Sequence, residues 1–365
     1  MPLTHLDPFR DPAPAAALIA RIGLAWNGPP VRIMEVCGTH TMAIARHGLR
    51  VPLRGAVKFI SGPGCPVCVT PDGYIDAAIA LAAEPKLTIA TFGDMVRVPG
   101  TRGSLERARA EGADVRIVYS PLDAVALAEA EPSREVVFLG VGFETTAPTI
   151  AGAIVTAQAR GAKNFSVLAS LRTIPGAMAL LAADPGVRID AFLCPANVSA
   201  IIGTNAYRPL AERYGLPCVV AGFEPLDILA SVLMILRQKS LGVAKVENEY
   251  SRVATPGGNR KAQAMLAEIF ESCDTAWRGI GVLPGSGLRI REKHAAFDAG
   301  RRFGIAVAST PERDGCRCGE VLKGMIDPPE CPLFGNACTP GSPVGPCMVS
   351  TEGACAAAHK YGADA

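Results

Sequence analysis

The chain of 365 residues has 36 Lys and Arg residues against 34 Asp and Glu residues, which gives a formal net charge of +2. Hydrophobic residues make up 49% of the chain and charged residues 19%, so a globular protein with large cores is expected and a disordered chain is excluded. No long basic run is present, which argues against nucleic acid or a membrane surface as the main partner.

The sequence also predicts a cytoplasmic protein. The longest strongly apolar segment, "LDILASVLMIL" from Leu226, is too short to span a bilayer. The first residues, "MPLTHLDPFRDPAP", carry acidic residues and prolines where a signal peptide has an apolar core. In a reducing compartment, the twelve cysteines of this chain favour metal or redox chemistry over structural disulfides.

Short apolar runs alternate with Ala-rich helical patterns from about Val31 to about Gly242. Apolar runs without alternation, separated by helices, indicate parallel strands that are covered on both faces. Eight runs are predicted to be buried strands: "VRIMEV" from Val31, "VKFIS" from Val57, "LTIATF" from Leu87, "VRIVYS" from Val115, "EVVFLGVGF" from Glu135, "FSVLAS" from Phe165, "AFLCPA" from Ala191 and "CVVAGF" from Cys218.

These elements predict an α/β protein with two Rossmann-like parallel-sheet domains, followed by a third, Cys-rich domain. Eight strands exceed one compact Rossmann half, so we divide them near residue 130, into residues 30–130 and 131–240. The third domain is predicted to comprise residues 241–365, together with the N-terminal helix within residues 1–29. Pro, Gly and Cys dominate its end, and such a segment requires a cross-link such as a metal centre for stability.

Three strand-to-helix turns carry residues suited to chemistry: Cys37 and His40 in "EVCGTHTM", Cys65 and Cys68 in "ISGPGCPVCVTPDG", and Glu144 in "VGFETTAPT". In α/β proteins, working groups lie beyond the carboxyl ends of the strands, so we expect a shared cleft. A helix N-terminus lowers a cysteine pKa toward the thiolate.

Each of these residues also has a purely structural interpretation. Cys37 alone would more often be a small buried hydrophobic residue, and His40 alone would more often be a helix-capping or surface histidine. Glu144 is also suited to capping the first helical turn. The C-x-x-C of Cys65 and Cys68, read as opening a helix, has the thioredoxin-type redox spacing, but half a zinc site has the same spacing. Three such turns together favour a functional cleft.

The C-terminal region is the strongest signal, with six cysteines within about forty residues. They suit one cubane iron–sulfur cluster with two thiols left over, or zinc sites. Because the sulfurs of "CRC" are too close to occupy separate corners of one cube comfortably, we expect Cys316 on iron and Cys318 paired nearby. Pro332 after Cys331 gives the Cys-Pro found in ferredoxin-type ligation, and tight C-x₂₋₄-C pairs typical of zinc are lacking.

Four motifs together resemble the HypD family of hydrogenase maturation factors. They are "EVCGTHTMAIARHG", "GPGCPVCVTP", "GFETTAPT", and the tail with "GEVLKG", "CPLFGNACTP" and "PVGPCMVSTEGACAA". The resemblance extends from about residue 31 to residue 362 and shows no departure at the key cysteines or at His40.

The resemblance implies a scaffold on which the Fe(CN)2CO group of [NiFe] hydrogenases is assembled, with a HypC-type chaperone and a HypE-type cyanide donor. It implies three domains and one [4Fe-4S] cluster, with family spacing that assigns the ligands Cys316, Cys331, Cys338 and Cys355. Cys318 and Cys347 then match a cluster-adjacent redox dithiol. Cys37 matches the cysteine that holds the nascent iron, beside His40. Cys65 and Cys68 match a cleft pair that cycles between dithiol and disulfide, and we include them among the candidate metal ligands.

Three functions are compared on this basis. The first is an assembly scaffold with thiol-redox chemistry, a monomer when alone, rather than a conventional turnover enzyme. The second is an iron–sulfur-dependent thiol/disulfide oxidoreductase that acts on a protein partner, and the third is a zinc-stabilised interaction protein. We favour the scaffold. His40 is expected to orient Cys37 by hydrogen bonding, whereas Glu144 suits proton transfer and orientation equally.

Overall fold

A computed structural model describes residues 6–308 and 313–362. Within this part of the chain the strands form two sheets, and all eight predicted strands are present. The strands are β1 (Val31–Glu35), β2 (Val57–Ser61), β3 (Leu87–Thr91), β4 (Asp114–Ile117), β5 (Glu135–Gly142), β6 (Phe165–Arg172), β7 (Ala191–Pro195), β8 (Cys218–Ala221), β9 (Val246–Asn248), β10 (Phe270–Trp277) and β11 (Gly281–Ile290).

The helices that cover these sheets begin at recognisable caps. Ser120 and Asp123 form a capping box at the start of α7, and Gly161 ends α8 in the left-handed conformation. The α-helices are α1 (Pro12–Ala25), α2 (Gly38–Arg46), α3 (Arg50–Leu53), α4 (Asp72–Ala82), α5 (Gly93–Arg97), α6 (Leu105–Ala110), α7 (Pro121–Ala130), α8 (Ala147–Arg160), α9 (Ile174–Ala183), α10 (Ala196–Ile202), α11 (Arg208–Tyr214), α12 (Pro225–Ser240), α13 (Arg260–Ile269), α14 (Ala299–Arg302), α15 (Cys318–Leu322), α16 (Pro346–Val349) and α17 (Ala354–Tyr361). Short 3₁₀ helices occupy Asp7–Arg10, Thr204–Tyr207, Glu292–Phe297 and Pro328–Glu330.

The first sheet has five strands in the order β2-β1-β7-β8-β9, and every neighbouring pair is parallel. Its central strands are apolar on both faces. Met34 of β1 belongs to a core cluster that it shares with strands of the second sheet, and Ile33 belongs to a cluster with residues of α1 and α12. Burial on both faces explains why these strands show no polar alternation in the sequence.

The second sheet has six strands in the order β10-β11-β6-β5-β3-β4. Strands β6, β5, β3 and β4 are parallel, whereas β10 and β11 form an antiparallel hairpin whose second strand pairs with β6. Two sheets dominated by parallel strands, with a separate Cys-rich region, confirm the predicted α/β fold class.

The chain distributes its strands between the sheets differently from the predicted division near residue 130. The five-stranded sheet takes residues 31–61 and 191–248, whereas the six-stranded sheet takes residues 87–172 and the hairpin at 270–290. The chain therefore crosses between the sheets after β2 and returns at β7. An apolar strand pattern indicates burial but does not indicate which neighbour the strand will pair with, so the crossing was not visible in the sequence.

The N-terminal helix also lies elsewhere than predicted. Helix α1 packs on α12 and α3, beside the five-stranded sheet. Its buried residue Ile22 joins the apolar cluster of that sheet, and an ion pair between Arg10 and Glu224 adds a contact at the surface. Residues 1–5 of the range assigned to this helix lie outside the described residues.

The Cys-rich segment from residue 313 to residue 362 contains only short helices among its described residues. Its last helix, α17, packs against α2, which follows the first strand of the five-stranded sheet. This contact brings two groups of candidate site residues together, because Cys37 precedes α2 and Cys355 lies on α17. In the described ranges, no helix combines the length and the hydropathy that a bilayer span requires.

Candidate metallocentre and thiol site

Cys37 lies at the carboxyl end of β1, where it is the N-cap residue of α2. The following turn of β2 contacts it directly, since the Gly38 N–H donates a hydrogen bond of 3.1 Å to the Gly64 carbonyl. A Cβ atom on Gly64 would lie 2.1 Å from the Cys37 nitrogen, so only glycine permits this approach. Because β1 and β2 are parallel neighbours, the first two predicted turns do meet at one edge of the sheet.

Cys37 does not have the lowered pKa that its helix position predicts. Burial raises the pKa of its thiol to about 11, and the charge of Glu352 adds to this effect. Hydrogen bonds from Thr39 and from the His40 backbone act in the opposite direction but are weaker. The thiol is only 5% exposed, and loss of hydration therefore outweighs the helix N-terminus. The prediction is wrong for the metal-free thiol.

Cys65 and Cys68 form a disulfide in a buried turn that precedes α4 by three residues. The spacing predicted that this pair opens a helix. This prediction is wrong, because α4 begins only at Asp72. The Cys68 N–H donates a 3.1 Å hydrogen bond to the Cys65 sulfur, so the backbone fixes the orientation of the pair. In this oxidised state neither sulfur offers a thiolate, and the metal-binding role predicted for the pair stays a prediction for the reduced form.

His40 anchors α2 to the end of β8. Its Nε2 lies 2.9 Å from the Gly222 carbonyl and 3.2 Å from the Ala221 carbonyl, so this nitrogen carries the proton that it donates. Burial lowers the pKa of His40 to about 4, and the ring is neutral. Its Nδ1 is buried without a hydrogen-bond partner among the described residues. The ring thus fixes the helix that carries Cys37, and its contact with the cysteine is through the backbone.

Glu144 lies at the end of β5, on the other sheet from Cys37. Its Oε1 accepts a 2.9 Å hydrogen bond from the Ile174 N–H, at the start of α9. Burial raises its pKa to about 7. Among the described residues, no hydrogen bond or ion pair joins it to Cys37 or to the disulfide. Its neighbour Phe143 belongs to the same extended buried cluster as Cys65 and Cys68, and it stacks on Trp277.

The six cysteines of the C-terminal region line one pocket. Apolar side chains complete the lining, together with Gly345, and the lining residues include Cys316, Cys318, Cys331, Cys338, Cys347, Cys355, Val321, Leu333, Phe334 and Met348. The structure thereby brings together all four predicted cluster ligands and both predicted redox thiols. The sulfurs of Cys318 and Cys347 are 2.8 Å apart, and Cys347 also interacts with Cys355, so the predicted redox pair adjoins a predicted ligand.

The donor set fits an iron–sulfur cluster. The Val344 N–H points to the Cys338 sulfur at 3.3 Å, and a Cβ atom on Gly345 would lie 3.0 Å from the Cys316 sulfur, so the backbone lies close to the thiols. Residues 6–308 and 313–362 contain no group of three or more His, Cys, Asp or Glu side chains that converge on a single ion. The ligands of a cubane bind separate iron atoms and need not converge in that way.

Glu352 is a site residue that the sequence did not reveal. Its Oε1 accepts a 2.8 Å hydrogen bond from the Thr39 hydroxyl, and its backbone packs against Gly38. Burial raises the pKa of this carboxyl. Glu352 lies between Cys347 and Cys355, so the cysteine-rich segment contacts the helix start next to Cys37. It stands in the motif "STEGAC", but no spacing rule relates it to a residue more than three hundred positions earlier.

Comparisons with known proteins show the family to which the chain belongs. The model of the HypD family, described as "Hydrogenase formation hypA family", matches residues 14–362. The hydrogenase maturation factor HypD of Azotobacter vinelandii is 50% identical over 99% of this chain and 97% of its own length. HypD of Escherichia coli is 49% identical over 98% of each chain, and HypD of Rhodobacter capsulatus is 48% identical over 97% of each. The chain therefore belongs to the HypD family of hydrogenase maturation factors.

Proposed function

We propose that the chain is the scaffold on which the Fe(CN)2CO group of [NiFe] hydrogenases is assembled, in a complex with a HypC-type chaperone and a HypE-type cyanide donor. Iron is the cargo in this proposal, and Cys37 is its ligand on the scaffold. The observation that carries the proposal is the contact of Glu352 with Thr39 and Gly38, because it joins the Cys-rich segment to the start of the helix next to Cys37.

The surroundings of Cys37 support a role in holding soft metal cargo. A buried thiol with a raised pKa is protonated at neutral pH and becomes a thiolate when a cation replaces the proton. Asn197 Oδ1 lies 4.0 Å from the sulfur, and Gly64 and Glu352 close the site from two sides. A cysteine of the HypC-type chaperone would supply a second thiolate, and cyanide and carbon monoxide would complete the coordination of the iron.

The six cysteines of the C-terminal region support a redox role for the scaffold. Cys316, Cys331, Cys338 and Cys355 would hold a [4Fe-4S] cluster, which supplies electrons one at a time. Cys318 and Cys347, with sulfurs 2.8 Å apart, store two electrons as a dithiol. We propose that this pair reduces the Cys65–Cys68 disulfide by thiol–disulfide exchange, with one S–S bond formed and one broken. Two electrons and two protons then reach the turn beside Cys37.

Infrared spectroscopy of the complex tests the scaffold function. The chain is purified without oxygen together with its HypC-type partner, from cells that also make the HypE-type protein. Cyanide and carbonyl stretching bands are expected on the wild-type complex and on a Cys273→Ser control, because Cys273 lies on β10 outside the six-cysteine pocket. The bands should be lost in Cys37→Ser. Wild-type complex that carries iron without these bands contradicts the proposal.

The Cys65–Cys68 disulfide and the close Cys318 and Cys347 sulfurs, 2.8 Å apart, also favour a second function, a thiol/disulfide oxidoreductase that acts on a protein partner. The same preparation separates the two functions. An oxidoreductase would show the iron–sulfur chromophore and would reduce a partner's disulfide in catalytic amounts, but it would carry no cyanide or carbonyl bands. A colourless protein that contains only zinc contradicts both functions.

A further inference from the structure

A tight turn contacts both the segment after the disulfide and the cysteine-rich segment. It connects β10 to β11 and consists of Arg278, Gly279 and Ile280. On one side, the Arg278 N–H donates a 2.8 Å hydrogen bond to the carbonyl of Val69, the residue after Cys68. On the other side, a Cβ atom on Gly319 would lie 2.6 Å from the Gly279 Cα atom, and Gly319 follows Cys318. The turn thus contacts the chain next to both thiol pairs.

The side chain of Arg278 repeats this bridging arrangement. Its guanidinium forms an ion pair with Asp72, the first residue of α4, four positions after Cys68. Asp72 also forms an ion pair of 3.4 Å with Arg313, which lies three residues before Cys316. The side chains of Arg278 and Asp72 are 5% and 2% exposed. A buried ion pair is costly to break, because removal of one partner leaves the other charge unpaired.

The charge of Arg278 acts on the cysteine-rich segment as well as on Asp72. An arginine guanidinium stays protonated even when it is buried, so Arg278 keeps its positive charge beside Asp72. The turn that carries this charge packs on Gly319, the residue after Cys318, so the guanidinium is a fixed positive charge close to the cysteine-rich segment. A fixed positive charge favours the arrival of electrons at neighbouring groups.

The base of the turn is rigid. Trp277 donates a 2.9 Å hydrogen bond to the Ser286 hydroxyl and stacks on Phe143 with ring centroids 5.8 Å apart. Behind it, the Arg172 guanidinium lies 5.8 Å from the Trp277 ring and donates to the Thr70 hydroxyl at 3.3 Å. Arg278 on the hairpin and Arg172 on β6 thus both hold the segment that follows the disulfide.

We propose that Arg278 is a positioning residue for electron transfer between the thiol pairs, because it holds the Cys65–Cys68 turn against the cysteine-rich segment. Its positive charge also stabilises electrons that arrive in the cysteine-rich segment. The inference rests on the relay in the proposed function. In the thiol–disulfide exchange, Cys318 and Cys347 form a disulfide while Cys65 and Cys68 become thiols. Two electrons and two protons thus pass from the first pair to the second. Two electrons from a low-potential donor, passed one at a time through the cluster, and two protons from solvent would then return Cys318 and Cys347 to the dithiol.

The test uses the full-length protein with matched iron and sulfide contents, under anaerobic conditions. Photoreduced deazaflavin is added as the one-electron donor, and the opening of the Cys65–Cys68 disulfide is followed by rapid alkylation and mass spectrometry. The midpoint potential of the iron–sulfur signal is measured separately by an EPR-monitored redox titration. The variants are Arg278→Met and Arg278→Lys. The matched control is Arg289→Met, on the same hairpin, whose side chain is 61% exposed and pairs with Glu271.

Arg278→Met is expected to slow disulfide opening at least tenfold. It should also lower the equilibrium constant for cluster reduction about tenfold, which corresponds to about 59 mV for a one-electron couple. Arg278→Lys keeps the charge but loses the planar fork that holds Asp72, so its potential should stay at the wild-type value while opening slows. Arg289→Met should change neither quantity. A merely structural role would not move the potential.

An Arg278→Met protein with the wild-type rate and potential would overturn the inference, as would equal effects of Arg278→Met and Arg289→Met. If Arg278→Met does not fold, Arg278→Lys decides alone, and a wild-type rate in that variant is the contrary result. A Cys318→Ser variant distinguishes this inference from the relay itself. Unchanged opening in Cys318→Ser refutes the relay, whereas slowed opening there with unchanged opening in Arg278→Met refutes only the role of Arg278.

Discussion

The contact between Gly38 and Glu352 predicts that Gly38→Ala destabilises the protein, whereas helix propensity alone predicts that it stabilises the protein. A Cβ atom at position 38 would lie 2.4 Å from the Cβ atom of Glu352 and 2.5 Å from its carbonyl oxygen. Carbon atoms in good contact are about 3.5–4.0 Å apart, so Gly38→Ala would push the Glu352 segment away by about 1 Å or more. Overpacking of this kind destabilises a protein by about 1–3 kcal/mol.

The same substitution would have the opposite effect if the contact were absent. Gly38 is the first residue of α2, and alanine is favoured over glycine in helices by up to about 1 kcal/mol. With an unfolding entropy of about 2.1 cal/mol/K per residue, a loss of 1–3 kcal/mol over 365 residues lowers the Tm by about 1–4 °C. The prediction is therefore a lower Tm for Gly38→Ala, whereas the helix propensity alone predicts a higher one.

Thermal unfolding followed by circular dichroism measures this change, and alkylation of Cys37 by iodoacetamide provides a local readout. Displacement of the Glu352 segment should expose the Cys37 thiol and accelerate its alkylation. Gly55→Ala is the matched control, because nothing lies within 4 Å of a Cβ atom at that position. A Tm for Gly38→Ala equal to or above that of the wild type, with unchanged alkylation of Cys37, would refute the reasoning.

Three further results are expected. The folded pKa of Glu144 is raised to about 7 from 4.5, so its stabilisation is present below pH 4.5 and is lost as the pH rises through 7. Between those pH values the wild type should lose roughly 3 kcal/mol relative to Glu144→Gln in urea titrations, and parallel curves would contradict this. Tyr74→Phe removes the 2.7 Å hydrogen bond from the Tyr74 hydroxyl to the Leu168 carbonyl, and chemical denaturation should show a loss of about 1–3 kcal/mol, against no loss if the hydroxyl is dispensable. Oxidative removal of iron should make residues 313–362 the first site of limited proteolysis, because the segment has few regular elements, and cleavage that starts elsewhere would count against the cluster as its cross-link.

The strands were predictable because their residues are buried on both faces. Runs such as "AFLCPA" and "EVVFLGVGF" carry almost no polar side chains, and a parallel strand between two helical layers needs none. The sheet to which each strand belongs was not predictable, since β2 and β3 have the same apolar character but lie in different sheets. The strands with which they pair depend on where the connecting chain passes from one sheet to the other, and the hydrophobicity of a strand does not indicate this.

The site was predictable only where a local rule applies. Parallel strands end at the same edge of a sheet, which is why the Cys37 turn and the Cys65 turn could be expected to meet. The raised pKa of Cys37 could not be expected, because its burial depends on the segment around Glu352, far away in the sequence. The pairing of Cys318 with Cys347 followed from the resemblance to HypD proteins. The ion pair of Arg278 with Asp72 lacked any signal of that kind.

The interrupted five-stranded sheet has a consequence for synthesis on the ribosome. Strands β1 and β2 are translated early, but β1 gains its second neighbour only when β7 emerges, about 130 residues after β2. Helix α1 can pack on α12 only after α12 has been synthesised, which is later still. Folding of such non-local pairings is slow, and their apolar surfaces stay open to wrong partners in the meantime. The nascent chain is thus expected to depend on chaperones until residue 248 has left the exit tunnel.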